Sequence, residues 1–432
     1  MEFNSKTLID NQRLSGLQYA TLFVCFLMNM LDGMDVLVIS YTAPSIAATW
    51  NVSPEALGVV FSAGLFGMTF GALFLAPYAD KLGRKNMIMI SALLMGISIF
   101  LTASAGSVNQ LMLYRFVSGL GIGSMLASTA ALAAEYTPDK TRDFWVSFVI
   151  SGYPVGAVIS GMVAARVVPS AGWPEMYRIA GIASFVTIPL IYFFLAESLD
   201  FYLKKQPANA LSKANTILKK LGAAPLNKLP LRADKQADIP VNALLHSEYR
   251  LPTFQLWIAL FLAFATLYFL TSWIPKLASD AGLSLELAIY AGTVFNLGAW
   301  VGIILQGYFS SRFGLKKTIG VFLILTALLM AVFRFFMGSD VLLFVFGLLG
   351  FGIQGGFVGL YAVAARMYPT EFRTAGVGWS IGIGRLGGII GPALGGILIG
   401  MGLSMSTNFL IYAIPTVLAG IMTMRISAKN IR

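Results

Sequence analysis

Tyr78-Ala79-Asp80-Lys81-Leu82-Gly83-Arg84-Lys85 recurs 231 residues later as Phe309-Ser310-Ser311-Arg312-Phe313-Gly314-Leu315-Lys316. The same shift carries Gly119 and Gly121 onto Gly350 and Gly352, Pro138 onto Pro369, and Arg142 onto Arg373. A constant offset across several segments marks an internal duplication. Each copy of the octet is a short polar stretch between two apolar runs. The repeating unit is therefore a set of apolar segments joined by polar turns.

Outward from the octets, six apolar runs occupy about 17–48, 55–79, 86–105, 110–134, 145–168 and 177–196. Six more occupy about 254–277, 285–309, 318–337, 341–365, 375–400 and 405–424. A membrane-spanning helix needs about 20 apolar residues, so twelve such runs use nearly all of the 432 residues. The composition agrees: 57% of residues are hydrophobic and 11% charged, against roughly 25% charged in a soluble domain. The 44 glycines and 17 prolines sit mostly inside the runs, where lipid tolerates them and small residues let helices approach. The expected fold is all-α integral membrane: twelve transmembrane helices in two pseudo-symmetric six-helix halves. Residues 1–197 would form the first half, 198–250 a cytoplasmic linker and 251–432 the second half. Parallel halves of this kind hold their site at mid-membrane between them. Within the linker, Lys213 to Leu221 has the pattern of a short amphipathic surface helix.

A net charge of +11 would suit nucleic acid if it formed a patch, but the basic residues are scattered among short loops. The loops on one side, with both ends of the chain, hold 24 of the 30 Lys and Arg. By the positive-inside rule that side is cytoplasmic, which predicts an inner-membrane protein with both termini inside. The polar residues 1–16 read as an uncleaved lead-in. One cysteine, Cys25, and one histidine, His246, exclude an internal disulfide and a Cys/His metal site. No metalloprotease, nucleophile-elbow or phosphate-loop motif occurs, so neither an enzyme nor a metal site is expected.

Three cations lie inside apolar runs: Arg115, Arg334 and Arg385. Two acids, Asp32 and Asp35, fall about fifteen residues into the first run, where each carboxylate costs roughly 2.5–3.5 kcal/mol on insertion scales. Spaced i,i+3 they share a helix face, and desolvation with mutual repulsion raises at least one pKa. That suits a proton carrier; the structural alternative is hydrogen bonding between helices. Arg385 is permanently charged and presents a planar fork that fits a carboxylate at two points. It is a poor proton carrier and a good anion anchor, unless it is a permanent partner of a helix 1 acid. Arg115 is either a partner in proton coupling or a packing ion pair. Asp80, Arg84, Glu135, Arg142, Glu371 and Arg373 collect at the cytoplasmic ends, as a latch between halves or as a solvated basic rim. Asn296, Trp300, Gln354, Tyr361 and Trp379, with Asn29, Tyr41 and Gln306, are the candidate cavity walls, where rings could stack on an aromatic solute.

These residues resemble the major facilitator superfamily. Asp80-Lys81-Leu82-Gly83-Arg84-Lys85 matches its loop 2–3 signature, and Arg115 with Gly119, Gly121 and Gly123 its helix 4 motif. Two positions depart from that pattern: Ala76 stands where a glycine is usual, and Ser311 replaces the acid in the second copy. Within the superfamily, three segments resemble the aromatic acid:proton symporter family. They are Leu31-Asp32-Gly33-Met34-Asp35, Ser272-Trp273-Ile274-Pro275-Lys276-Leu277 with Asp280 to Leu283, and Tyr368-Pro369-Thr370-Glu371 with Gly384-Arg385 and Gly391-Pro392. The resemblance implies uptake of a small aromatic carboxylate together with a proton, by a monomer with no cofactor beyond the coupling proton. Its partners would be the carboxylate and the lipid bilayer, with no nucleic acid. A drug:proton antiporter of the same fold is the alternative, and Arg385 argues against it, since a cation exporter gains little from a fixed positive charge.

Overall fold

The computed structural model describes residues 14–230, 247–369 and 373–427, and among these the chain is helical, without a strand. In lipid, backbone N–H and C=O groups must pair within the segment, which a helix achieves. The twelve runs become α1 Gly16–Trp50, α2 Pro54–Leu82, α3 Arg84–Thr102, α4 Val108–Glu135, α5 Phe144–Ala171 and α6 Trp173–Phe194, then α7 Ser247–Asp280, α8 Leu285–Phe313, α9 Leu315–Ala331, α10 Leu342–Met367, α11 Arg373–Gly400 and α12 Met405–Arg425. Eleven of these are long and apolar enough to cross a membrane, and α9 is the short one at 17 residues. The ninth run is expected to reach 337, but the helix stops at Ala331 and a 3-10 turn, Phe333–Phe336, follows. Phe333 is fully buried against Phe346 and Phe409, and seating its ring turns the chain. Arg334 therefore lies exposed beyond the helix end and is not an intramembrane cation.

The duplication is visible in backbone geometry. Gly83 and Gly314, which precede α3 and α9, have φ of 95° and 91° with ψ of 149° and 144°, a conformation nearly closed to other residues. Helix crossings repeat too. Gly67 and Gly71 of α2 lie against the carbonyls of Phe116 and Leu120, and Gly298 and Gly302 of α8 against those of Gly347 and Phe351. Likewise Gly156 of α5 meets Met30, and Gly387 of α11 meets Phe261. All of these pairs are related by the same 231-residue shift. A Cβ at any of the six would overlap the facing backbone, so glycine here sets the interhelical distance. At four other helix entries, serine caps α2 (Ser53), α4 (Ser107), α8 (Ser284) and α12 (Ser404), each accepting the N–H three residues on.

By packing, the chain forms two units. One comprises Met1–Asp35, Phe66–Gly156 and Tyr177–Gln236, so far as described. The other comprises Val36–Leu65, Ala157–Met176 and Ala237–Arg432. This division differs from the repeat halves because it follows contact and not ancestry. The far ends of α1, α2 and α5 pack with α7, α8 and α11 in the second unit. In the linker, Leu199–Lys205 and Ala210–Lys220 are helical, and the latter buries Ala214, Ile217 and Leu218 while exposing Lys213, Lys219 and Lys220. His246, Arg232 and Lys235 lie outside the described residues.

Candidate functional site

In the first unit, the acids of α1 meet the arginine of α4. Arg115 Nη1 forms an ion pair with Asp35 Oδ1 at 2.7 Å and donates a hydrogen bond to the Asp35 carbonyl at 3.0 Å. The guanidinium lies over the Tyr177 ring, 5.4 Å from its centroid, and the Ser118 hydroxyl faces the same carboxylate. Asp35 is fully buried and Arg115 nearly so. Asp32, one turn earlier, is also buried and has a partner of its own. The backbone makes room for this centre, since Gly33 sits against the carbonyl of Tyr153. Of the two acids, then, the geometry commits Asp35 to Arg115. A desolvated pair like this is held by mutual charge, and protonating the carboxylate releases the guanidinium.

In the second unit, Arg385 is half-buried on α11 between Gly384 and Gly388. A Cβ at Gly384 would lie 2.5 Å from the Phe264 ring, and one at Gly388 3.0 Å from Tyr268, so the two glycines draw the aromatic face of α7 onto α11. Phe264 packs edge-on against Phe357 of α10 with centroids 4.6 Å apart, and Phe357 against Tyr361 at 5.2 Å. Arg385 and Tyr268 are the charged and phenolic neighbours of Tyr361. The result is a cation within electrostatic range of Tyr361, which belongs to a cluster of four packed rings. Tyr361 and Arg385 are in the sequence reading; Phe264, Tyr268 and Phe357 are not. Their signal was the i,i+4 spacing of rings on α7 and α10, matched by glycines flanking Arg385.

The other candidates fall elsewhere. Asn296 is buried on α8 and donates to Gly292 O at 2.9 Å and towards Tyr41 Oη at 3.5 Å. The Tyr41 hydroxyl in turn donates to Ala157 O at 2.9 Å. Asn296 thus belongs to a seam joining α1, α5 and α8. Ser40 Oγ bonds Thr271 O at 2.7 Å, Ser62 Oγ bonds Ile389 O at 2.6 Å, and Trp273 Nε1 bonds Pro392 O at 2.9 Å. Trp273 and Pro392, motif residues in sequence, are therefore bonded to each other. Trp300 and Trp379 are 38% and 46% exposed. Trp379 stands six residues from Arg385, about 120° away around α11. Gln354 lies on α10 one turn before Phe357 and is half-buried.

Around the octet, Arg84 forms an ion pair with Glu135 and also faces Asp80, Asp200 and Glu197. Arg142 pairs with its neighbour Asp139 and donates to Ala134 O, and Arg373 donates to Tyr368 O at 3.3 Å. Asp80 is exposed, and Glu371 lies outside the described residues. Sequence reasoning missed Glu197, the residue that organises this corner. Its buried carboxylate accepts Lys85 N–H at 3.1 Å and Ser198 N–H at 2.8 Å, against the backbone of Gly83. Tyr136 donates to its carbonyl at 2.5 Å. Burial first, then the Glu197 charge, push the Tyr136 phenol far above its ordinary range, so it remains a donor. Hydrogen bonds to charged groups contribute about 1.5–3 kcal/mol. Glu197→Ala is expected to lower the thermal midpoint, with Glu197→Gln, which keeps an acceptor oxygen, falling between. An Ala variant melting with the wild type would remove Glu197 from this role.

The charges inside the spans, unlike the scaffold, are not repeated. The positions 231 residues after Asp32, Asp35 and Arg115 are Ala263, Thr266 and Phe346, and the position 231 before Arg385 is Pro154. A duplicated helical frame carrying unduplicated intramembrane charges defines a secondary transporter of the major facilitator fold. The family profile described as Major Facilitator Superfamily matches residues 25–306 and 256–430. The chain belongs to that superfamily, and within it to the aromatic acid:proton symporter family; it is a membrane transporter and not an enzyme. It is 32% identical over 423 residues to a gallate transporter of Pseudomonas putida, covering 96% of this chain and 93% of the relative. A 4-hydroxybenzoate transporter of Pseudomonas aeruginosa is 31% identical, with 95% and 93% covered. The solved structure of a D-xylose–proton symporter matches with a TM-score of 0.74 at 17% identity, over 95% of this chain and 98% of that one.

Proposed function

We propose that the protein imports a small aromatic carboxylate together with a proton, by alternating access. The observation that carries this reading is Arg385 acting on Tyr361 at the cluster that Tyr361 forms with Phe264, Tyr268 and Phe357. A guanidinium takes the carboxylate at two points and ring faces or edges take the aromatic body. The relatives' names, gallate and 4-hydroxybenzoate transporter, support the same class of solute. Asp35 with Arg115 is the coupling centre and Asp32 assists it. Gln354 and the exposed rings of Trp300 and Trp379 line the solute's route, and Asn296 belongs to the seam. The charges Asp80, Arg84, Glu135, Arg142, Glu371 and Arg373 act at the inner gate.

Residues 1–197 and 251–432 are the two moving halves, 198–250 their linker, and the chain works as a monomer. The loop charges support an inner-membrane protein with both termini in the cytoplasm. The seam that bonds α1, α2 and α5 to α7, α8 and α11 then closes the outer side. A drug:proton antiporter is disfavoured by the fixed charge of Arg385.

The test is uptake of radiolabelled 4-hydroxybenzoate into proteoliposomes of the purified protein. An inward proton gradient is expected to drive accumulation, and a protonophore to collapse it to the level of empty vesicles. Accumulation indifferent to the gradient would reject proton coupling. Uptake of a lipophilic cation but no carboxylate would reject the substrate class.

A further inference from the structure

A groove of about 660 Å³ runs along α9 between α8 and α10, remote in sequence from the charges of the transport site. Phe322, Phe351, Leu325 and Leu329 are among its lining residues, with Lys317 and Thr318 lining it at the start of α9. From Lys317 to Leu329 is twelve residues, about 18 Å along a helix, close to the roughly 15 Å depth of one leaflet's hydrocarbon. That length and an apolar lining suit one extended acyl chain.

The start of α9 has a distinct charge. Lys317 is exposed and has no ion-pair partner among the described residues. Beside it, Lys316 is committed to Ile426 O at 2.7 Å, and Arg312 leans on the Tyr308 hydroxyl at 3.3 Å. In the first copy of the repeat the octet supplies Asp80 at the equivalent place, but here the residue is Ser311. Loss of that acid leaves Arg312, Lys316 and Lys317 as cations with no carboxylate in the octet. The Thr318 hydroxyl, buried where it lines the groove, has no hydrogen-bond partner among the described residues. A buried unpaired hydroxyl is costly and an ester or phosphate oxygen would satisfy it.

We infer that this groove is a binding site for an anionic phospholipid, its acyl chain along α9 and its phosphate at Lys317. Basic pockets between spanning helices at a membrane surface hold anionic head groups in this way. The departure of the second octet from the first is then a specificity feature of the lipid site. A second copy of the chain or the transported solute fits less well: the first offers no reason for a free cation, and the second needs no leaflet-length groove.

The experiment uses the full chain purified in detergent, delipidated, and offered phosphatidylglycerol or phosphatidylcholine of the same acyl chains, with bound lipid counted by native mass spectrometry. Wild type is expected to retain phosphatidylglycerol at least fivefold over phosphatidylcholine. Lys317→Gln, an exposed change, is expected to bring that ratio near one, and Leu325→Trp, which fills the groove, to reduce retention of both lipids. Equal retention of the two lipids by wild type would overturn the inference, as would a phosphatidylglycerol preference unchanged in Lys317→Gln. Dimers that vanish in Leu325→Trp would assign the groove to a second copy and also overturn it. The measurement involves no transport, so it stands or falls separately from the proposed substrate.

Discussion

Arg385→Ala is expected to bind no aromatic carboxylate at detectable affinity, and Arg385→Lys to lose most of it, with both variants folded and inserted. The solute must leave water to reach a half-buried guanidinium within electrostatic range of Tyr361, which packs with Phe264 and Phe357. Removing one partner of a desolvated charged pair costs about 2–5 kcal/mol, or roughly thirtyfold to several thousandfold in affinity. Lysine keeps the charge and loses the two-point geometry, and its ammonium cannot span both carboxylate oxygens in one plane. An uncharged amide analogue of the acid should bind wild type weakly and lose little more in the Ala variant. Binding titrations of acid and amide against all three proteins decide the matter. Equal losses for acid and amide would mean that Arg385 supports the packing of α11 on α7 and leaves the carboxylate untouched.

Asp35→Asn is expected to abolish concentrative uptake and also to destabilise the fold. The first effect follows from removing the titratable group. The second follows because Arg115 is left buried with its charge uncompensated, a change that typically costs about 3–5 kcal/mol. Arg115→Gln in the Asp35→Asn background removes the stranded charge, so the double variant should melt above the single one while still failing to accumulate solute. Asp32→Asn, whose carboxylate is not the one held at 2.7 Å by Arg115, should lower stability less. Thermal midpoints and proteoliposome uptake for the four proteins provide the test. A double variant less stable than Asp35→Asn would show the two residues acting independently, and accumulation by Asp35→Asn would remove it from coupling.

What was legible in the sequence was set by repetition and by the expense of charge in lipid. The apolar runs marked twelve spans and the 231-residue shift divided them into two halves, and the near-equal backbone angles of Gly83 and Gly314 are its physical counterpart. Asp35, Arg115 and Arg385 stood out because nothing apolar explains them. Their pairing was not legible: which arginine meets which acid depends on how α4 is rotated against α1, and periodicity leaves that angle open. Phe264, Tyr268 and Phe357 were hidden because aromatic residues are common in every span, and only contact with Gly384 and Gly388 distinguishes them. Glu197 escaped because a single acid at the end of a run looks like ordinary solvated punctuation. Asn296 was legible as a polar residue in an apolar run and illegible as a seam residue, since its neighbour Tyr41 is 255 residues away.

The seam in the second unit has a bearing on how readily the protein can exchange states. Its hydrogen bonds from Ser40, Tyr41, Ser62 and Trp273 are all donated by neutral groups to main-chain carbonyls. Such bonds contribute about 0.5–1.5 kcal/mol each on balance, and their strength varies with neither pH nor ionic strength. Parting all four would cost only a few kcal/mol, within what differential solute affinity for two conformations can supply. Because carbonyl acceptors are independent of side-chain identity, the donors alone tune the barrier. Substituting Ser40 or Ser62 by alanine offers a graded adjustment of the resting population that leaves the chemistry of Asp35 and Arg385 alone.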